Sequence, residues 1–216
     1  MATLPITRET ITGEAGAIEI AAILPTESGA RAVAVIAHPH PLFGGTMDNK
    51  VVTTLARAMF DAGAAAYRFN FRGVGGSAGT HDEGQGETRD MEAVIAHAMA
   101  RHPGLPLWLA GFSFGGAVTL AVSEKVLASE MILVAPAFKR LANWANNSEG
   151  GRPPASTLVI HGEADETVPL ADSLAWARPR DIPVLVIAGA DHFFHQKLHI
   201  IRRIVGRLVV APPSRD

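Results

Sequence analysis

Residues 105–122 read Leu-Pro-Leu-Trp-Leu-Ala-Gly-Phe-Ser-Phe-Gly-Gly-Ala-Val-Thr-Leu-Ala-Val. A strand-sized apolar run enters Gly111-Phe112-Ser113-Phe114-Gly115, a G-x-S-x-G pattern, and a run of helical length follows at once. A strand that turns directly into a helix holds a serine in an uncommon backbone conformation, with its hydroxyl facing outward. The glycines two residues to either side leave room where a Cβ would strike the neighbouring strand or helix. The pattern alone is weak, because Gly75-Gly76-Ser77-Ala78-Gly79 repeats it. Ser77, however, lies in a polar, Gly-rich stretch without apolar periodicity or a prompt helix. Ser113 is the candidate nucleophile.

The same alternation extends in both directions. Residues 6–13 and 17–24 read as a β-hairpin turning near Glu14 and Gly16. Strands follow at 32–37, 64–71, 105–110, 130–135, 157–161 and 183–188, and helices at 48–61, 86–101, 114–128, 170–177 and 194–210. Apolar strands separated by helices of this length imply parallel β-α-β units, with helices on both faces of one sheet and the hairpin as an antiparallel edge. The one long irregular connection is 137–155, where a helical turn is expected at Leu141–Trp144.

Length and composition agree with a single α/β domain spanning 1–216. A chain of 216 residues can bury roughly 70% of its extended surface without a metal or disulfide. Hydrophobic residues make up 48% and charged residues 19%, which excludes a disordered chain. The formal net charge of −2 offers no basic field for nucleic acid. Without cysteine there is no thiol chemistry and no disulfide. No apolar run reaches the ~20 residues that span a bilayer, and the first residues lack a signal-peptide core. The expectation is a cytoplasmic protein, without membrane or nucleic-acid partners, acting on a small molecule. Oligomeric state is left open.

A serine hydroxyl needs a base, and the base needs a third group to orient it. Asp165 follows the strand in Thr157–Pro169, and His192 follows the last strand, both leaving the sheet at the edge that carries Ser113. Ser…Asp…His is the chain order of triads in this kind of sheet. Glu163, Glu166 and Asp191 compete for the acidic role, and Asp191 is expected to point away. One oxyanion donor is the backbone N–H of Phe114, at the positive end of the following helix. The other belongs to His38-Pro39-His40-Pro41-Leu42, where proline has no N–H and His40 and Leu42 remain.

The segments HPHPLFGG, NFRGVGGSAG, GFSFGG, HGEADETVP and DHFFH resemble a group of small, lidless bacterial serine α/β-hydrolases near the dienelactone-hydrolase-like branch. The likeness runs from about residue 15 to 205. It implies an α/β-hydrolase fold of eight strands with the second antiparallel and no cap domain. It also implies a Ser113–Asp165–His192 triad, His40 as the second oxyanion donor, and hydrolysis of small carboxylic esters through an acyl-enzyme. A peptidase, thioesterase or acyltransferase would use the same triad, and a catalytically silent binding protein would keep the fold.

Other motifs weigh less. Gly73–Ala78 fits G-x-G-x-x-A but opens no helix and lacks the acid about 20 residues on that a dinucleotide site needs. His192, His195 and His199 would stack on one helix face, yet H-E-x-x-H is absent. No cofactor and no metal is expected. Arg68 and Arg72, at an apolar strand end, are expected to be paired beneath the loops. Phe112 and Phe114 are expected to line an apolar pocket, and Trp144 to sit in the loop above the sheet.

Overall fold

A computed structural model describes residues 6–25, 29–141 and 153–208. Strands β1 (Ile6–Gly13) and β2 (Gly16–Ile23) form the expected hairpin. Six more strands follow: β3 (Ala32–Ala37), β4 (Ala64–Phe69), β5 (Leu107–Phe112), β6 (Glu130–Val134), β7 (Thr157–Gly162) and β8 (Val184–Ile187). All eight join one sheet in the order β1-β2-β4-β3-β5-β6-β7-β8. β2 runs antiparallel to both β1 and β4, and every other pairing is parallel.

The central strands are apolar throughout because both faces are covered. On β3, Val33, Val35 and Ala37 enter one core layer with Leu109, Met91 and Val118. Ala32, Ala34 and Ile36 enter the other, with Ala110, Leu55 and Ile201. The second layer is closed by α1 (Lys50–Asp61) and α6 (Leu198–Leu208), and the first by α2 (Gln85–Arg101) and α3 (Phe114–Val122). Asn49 starts α1 by accepting the Val51 N–H at 2.8 Å, which satisfies one of the end donors a helix cannot pair internally. The short α4 (Phe138–Leu141) and α5 (Leu170–Ala177) lie between β6 and β8 in sequence.

Several boundaries differ from the sequence reading. β5 starts at Leu107 and runs to Phe112, because Pro106 has no N–H to give the ladder while Phe112 still pairs with Val134. α3 stops at Val122 instead of 128, where Ser123 Oγ turns back to the Leu120 carbonyl at 2.6 Å. α6 begins at Leu198, not 194: Phe194 and Gln196 hold φ of 53° and 60°, and turns replace helix. His192 and His195 therefore precede α6, and the three histidines share no helix face. The helical turn in the long connection is at Phe138–Leu141; Trp144 lies outside the described residues. β6 ends at Val134 and β7 begins at Thr157, an interval too short for a cap domain. Among the described residues, no helix is long and apolar enough to cross a membrane.

The chain after β4 carries Arg72 and Asp90 into the interior as a pair. Arg72 donates through Nε and Nη2 to both oxygens of Asp90 on α2, at 2.9–3.3 Å. Asp90 also accepts the Arg72 N–H at 2.9 Å. Only 8% of the Arg72 side chain and 1% of Asp90 are exposed. Removing one partner of a buried pair strands the other, so Asp90→Ala is expected to cost about 3 kcal/mol. Urea unfolding at neutral pH measures this.

Candidate active site

Ser113 sits where β5 meets α3, with φ 56° and ψ −118°. Few non-glycine residues hold positive φ, and those that do are fixed by their surroundings. Here the strand and helix approach so closely that a Cβ on Gly111 would stand 2.2 Å from the Gly115 carbonyl oxygen. One on Gly115 would stand 2.4 Å from the His38 carbonyl oxygen. Both elbow glycines are therefore steric requirements. The Ser113 N–H donates to Val134 O at 2.9 Å, and its carbonyl accepts from Gly116, Ala117 and Ala137.

Two loops from neighbouring strands reach the hydroxyl. His192, after β8, brings Nε2 to 3.0 Å from Ser113 Oγ and Nδ1 to 2.7 Å from Asp165 Oδ2. Asp165, after β7, accepts the Thr167 and Val168 N–H groups on Oδ1 at 2.9 and 2.8 Å. Burial alone would raise the Asp165 carboxyl. Hydrogen bonds from His161, His192 and the Val168 N–H outweigh it and hold the group well below the usual carboxylate range. An ionised Asp165 places the imidazole proton on Nδ1 and leaves Nε2 to accept the Ser113 proton.

Two of the three competing acids are occupied elsewhere, and the third, Glu166, is exposed. Asp191 pairs with His195 at the surface, and Glu163 accepts the Gly189 N–H. Ser77 is structural: its hydroxyl donates to the Asn70 carbonyl and accepts the Glu19 N–H. Among the described residues, no cluster of three metal-ligating side chains occurs.

The loop after β3 forms a 3-10 turn over Pro41–Phe43, with His40 at its start. The Leu42 N–H donates to His40 Nδ1 at 3.3 Å, which engages one of the two donors that sequence left open. Phe114 N–H stands at the first position of α3, where no preceding helical carbonyl exists to accept it. The His40 ring lies 4.8 Å from that of Phe114, the residue after Ser113. Phe114 also packs on Phe71, while Phe112 packs on His192 and Phe193. Leu42 and Phe43, 70% and 77% exposed, give the rim an apolar strip.

Residues outside the Ser113–His192–Asp165 chain fix these loops, among them Arg68, paired as expected. Fully buried His161 reaches Ser173 Oγ through Nδ1 at 2.8 Å and the Val168 carbonyl through Nε2 at 2.9 Å, and so binds the Asp165 turn to α5. Asn70 accepts the Met47 N–H, and Arg68 donates to Met47 O and Asp48, tying the β3 loop to β4. His38 faces the Pro39 carbonyl through Nδ1 at 2.6 Å and accepts the Phe71 N–H on Nε2 at 3.0 Å. A histidine two residues before His40, at the end of a wholly buried strand, was the available signal for this brace.

Burial lowers the His38 pKa to about 4. The unfolded chain then binds a proton that the folded chain refuses, so stability falls as pH drops from about 6.5 toward 4. The loss from this group is roughly 2 kcal/mol between pH 7 and pH 4.5. Asp165, held low, contributes its own loss only further down, as pH falls through the ordinary carboxylate range. Urea unfolding at both pH values should show the first loss in the wild type and a smaller one in His38→Gln.

Comparison with known proteins identifies the family and the fold. The family model described as serine aminopeptidase, S33, matches residues 30–149. An uncharacterised protein of Rickettsia prowazekii is 31% identical over 191 residues, covering 84% of this chain and 80% of that protein. A lidless α/β serine hydrolase from Xanthomonas campestris superposes with a TM-score of 0.87 at 36% identity, covering 99% of both chains. An α/β serine hydrolase homologue from Coxiella burnetii gives 0.84 at 36% identity, over 96% of this chain and 98% of that one. Matched along more than half its length, and resembling those structures almost end to end, the chain belongs to the serine aminopeptidase family of α/β serine hydrolases and to its lidless members.

Proposed function

We propose that the protein is a serine esterase acting on small carboxylic esters, with Ser113, His192 and Asp165 as its triad. The observation that carries the proposal is the continuous Ser113 Oγ–His192–Asp165 chain at 3.0 and 2.7 Å. Ser113 Oγ attacks the ester carbon as His192 Nε2 takes its proton, and the carbonyl π pair moves to oxygen. The Phe114 and His40 N–H groups receive that oxyanion. Its collapse breaks the bond to the alkoxy oxygen, which leaves as alcohol with the proton from His192. A water, deprotonated by the same imidazole, then attacks the acyl-serine, and Ser113 regains its proton as the acid departs. Asp165 stays ionised throughout, fixing the imidazole and stabilising its transient charge.

The family description favours a second reading, an aminopeptidase. Such an enzyme must hold the substrate's α-ammonium group, which calls for a carboxylate beside the reacting carbon. The side chains in ring contact with Phe114 are His40, Phe71 and His81. Glu87, the carboxylate bonded to the His81 ring, already accepts three hydrogen bonds. Ester cleavage fits this wall better.

Incubation with a fluorophosphonate probe is expected to place one adduct on Ser113, read by peptide mass spectrometry. No adduct on the folded protein would sink the proposal. Ser113→Ala and Asp165→Asn are expected to lower kcat on p-nitrophenyl acetate by about 10³-fold or more. Turnover of aminoacyl anilides in preference to that ester would select the aminopeptidase.

A further inference from the structure

The chain between β4 and α2 carries His81, a residue that the triad does not use. Its ring centroid lies 4.8 Å from that of His40 and 5.6 Å from that of Phe114. It therefore packs on both residues assigned above to the oxyanion. The side chain is 10% exposed, and its Nδ1 stands 2.7 Å from Oε1 of fully buried Glu87. Glu87 Oε1 also accepts the Asp82 N–H at 3.0 Å, and Oε2 accepts the Gly84 N–H at 2.8 Å.

A carboxylate already receiving two backbone donors is an acceptor toward the imidazole as well, so the ring proton belongs on Nδ1. In the neutral ring Nε2 then carries a lone pair. No described residue bonds to that nitrogen, and it is not among the buried atoms left without a partner. It belongs to a partly exposed ring that packs on His40 and on Phe114, the residue after Ser113.

Resting on the reading of Ser113 as the reacting group, we propose that His81 is a specificity-determining residue: its Nε2 accepts a hydrogen bond from a hydroxyl on the substrate. The hydroxyl is carried by the acyl chain or by the alcohol portion of the ester. Glu87 is the positioning residue that fixes the His81 tautomer and so makes the site an acceptor. A neutral hydrogen bond of this kind contributes about 1 kcal/mol, equivalent to about fivefold in affinity. A substrate without the hydroxyl leaves the nitrogen to water.

Binding to Ser113→Ala protein tests the idea without requiring turnover. Calorimetry would compare ethyl hexanoate with its 2-, 3- and 6-hydroxy derivatives, and propyl hexanoate with 2-hydroxyethyl hexanoate. The expected result is about fivefold tighter binding of at least one hydroxylated ester than of its plain partner. That ratio should fall to near one in Ser113→Ala/His81→Phe. It should persist in part in Ser113→Ala/His81→Gln, whose amide can donate to Glu87 and accept the hydroxyl. The acyl and alcohol series tell which end is read. In parallel, the His81 Nε2 nitrogen resonance of Ser113→Ala protein should move with the preferred hydroxy-ester and stay put with the plain one, a measurement that needs no change at His81.

Equal binding within every pair, an unchanged ratio after His81→Phe, or an Nε2 resonance indifferent to the hydroxyl would each overturn the proposal. Those failures leave the fluorophosphonate result on Ser113 untouched, so the two readings fall separately.

Discussion

The molecule turns on one close approach, where the end of β5 passes into α3 with no room for a side chain on either flank. Gly111 and Gly115 would each put a Cβ within 2.4 Å of a backbone oxygen. At that separation Ser113 accepts a positive φ, a conformation it would avoid in an open turn. The strain is local, and the hydrogen bonds around it are collective. The Ser113 N–H reaches β6, and its carbonyl receives three donors from the helix and the chain after β6. Parallel pairing of β5, β6, β7 and β8 then brings the Asp165 and His192 loops to the same sheet edge. Residues 79 positions apart in sequence meet at 3.0 Å because the sheet order puts them there.

Beside this elbow, two buried imidazoles have both ring nitrogens engaged, while Arg68 keeps a buried Nε without a partner. His161 spends both ring nitrogens on Ser173 and the Val168 carbonyl, and His38 spends both on Pro39 and Phe71. Each satisfied imidazole braces a loop that presents part of the site: His161 the Asp165 turn, His38 the oxyanion loop. A half-paired buried network is worse than an apolar core, whereas a filled one rigidifies what it touches. Preorganisation of this kind lets oxyanion donors act without reorganising during reaction.

Most of the architecture was legible because each signal was local. Strands buried on both faces show as unbroken apolar runs. The meeting of Ser113, His192 and Asp165 was legible because the serine's turn has a sequence signature and strand order dictates where its partners emerge. What escaped reading depended on distance. No local pattern says that Phe194 must turn into the core and delay α6, or that α3 stops at Ser123. Nor does spacing join His81 to Glu87 or His161 to Ser173, since a buried imidazole's role is defined by partners from another element. The oxyanion donor was narrowed to His40 or Leu42 by proline chemistry alone. The resemblance favoured His40, and the His40 side chain engages the Leu42 N–H, a contact that proline chemistry does not reveal.

With no cap domain over the cleft, selectivity has to come from fixed walls. Leu42 and Phe43 extend an apolar strip at the rim, and covering about 100 Å² of such surface contributes about 2.5 kcal/mol. That gain is shared by bound substrate and transition state, so it lowers KM and leaves kcat alone. Discrimination requires a group that distinguishes one small substrate from another of equal area. The rim strip cannot do so, since apolar contact scales with surface and ignores chemistry. A polar atom held in a single tautomer can, because a substrate lacking the matching group leaves it unpaired. In this fold such an atom is supplied by the chain after β4, a segment long enough to vary while the elbow, braced on its other sides, stays in place.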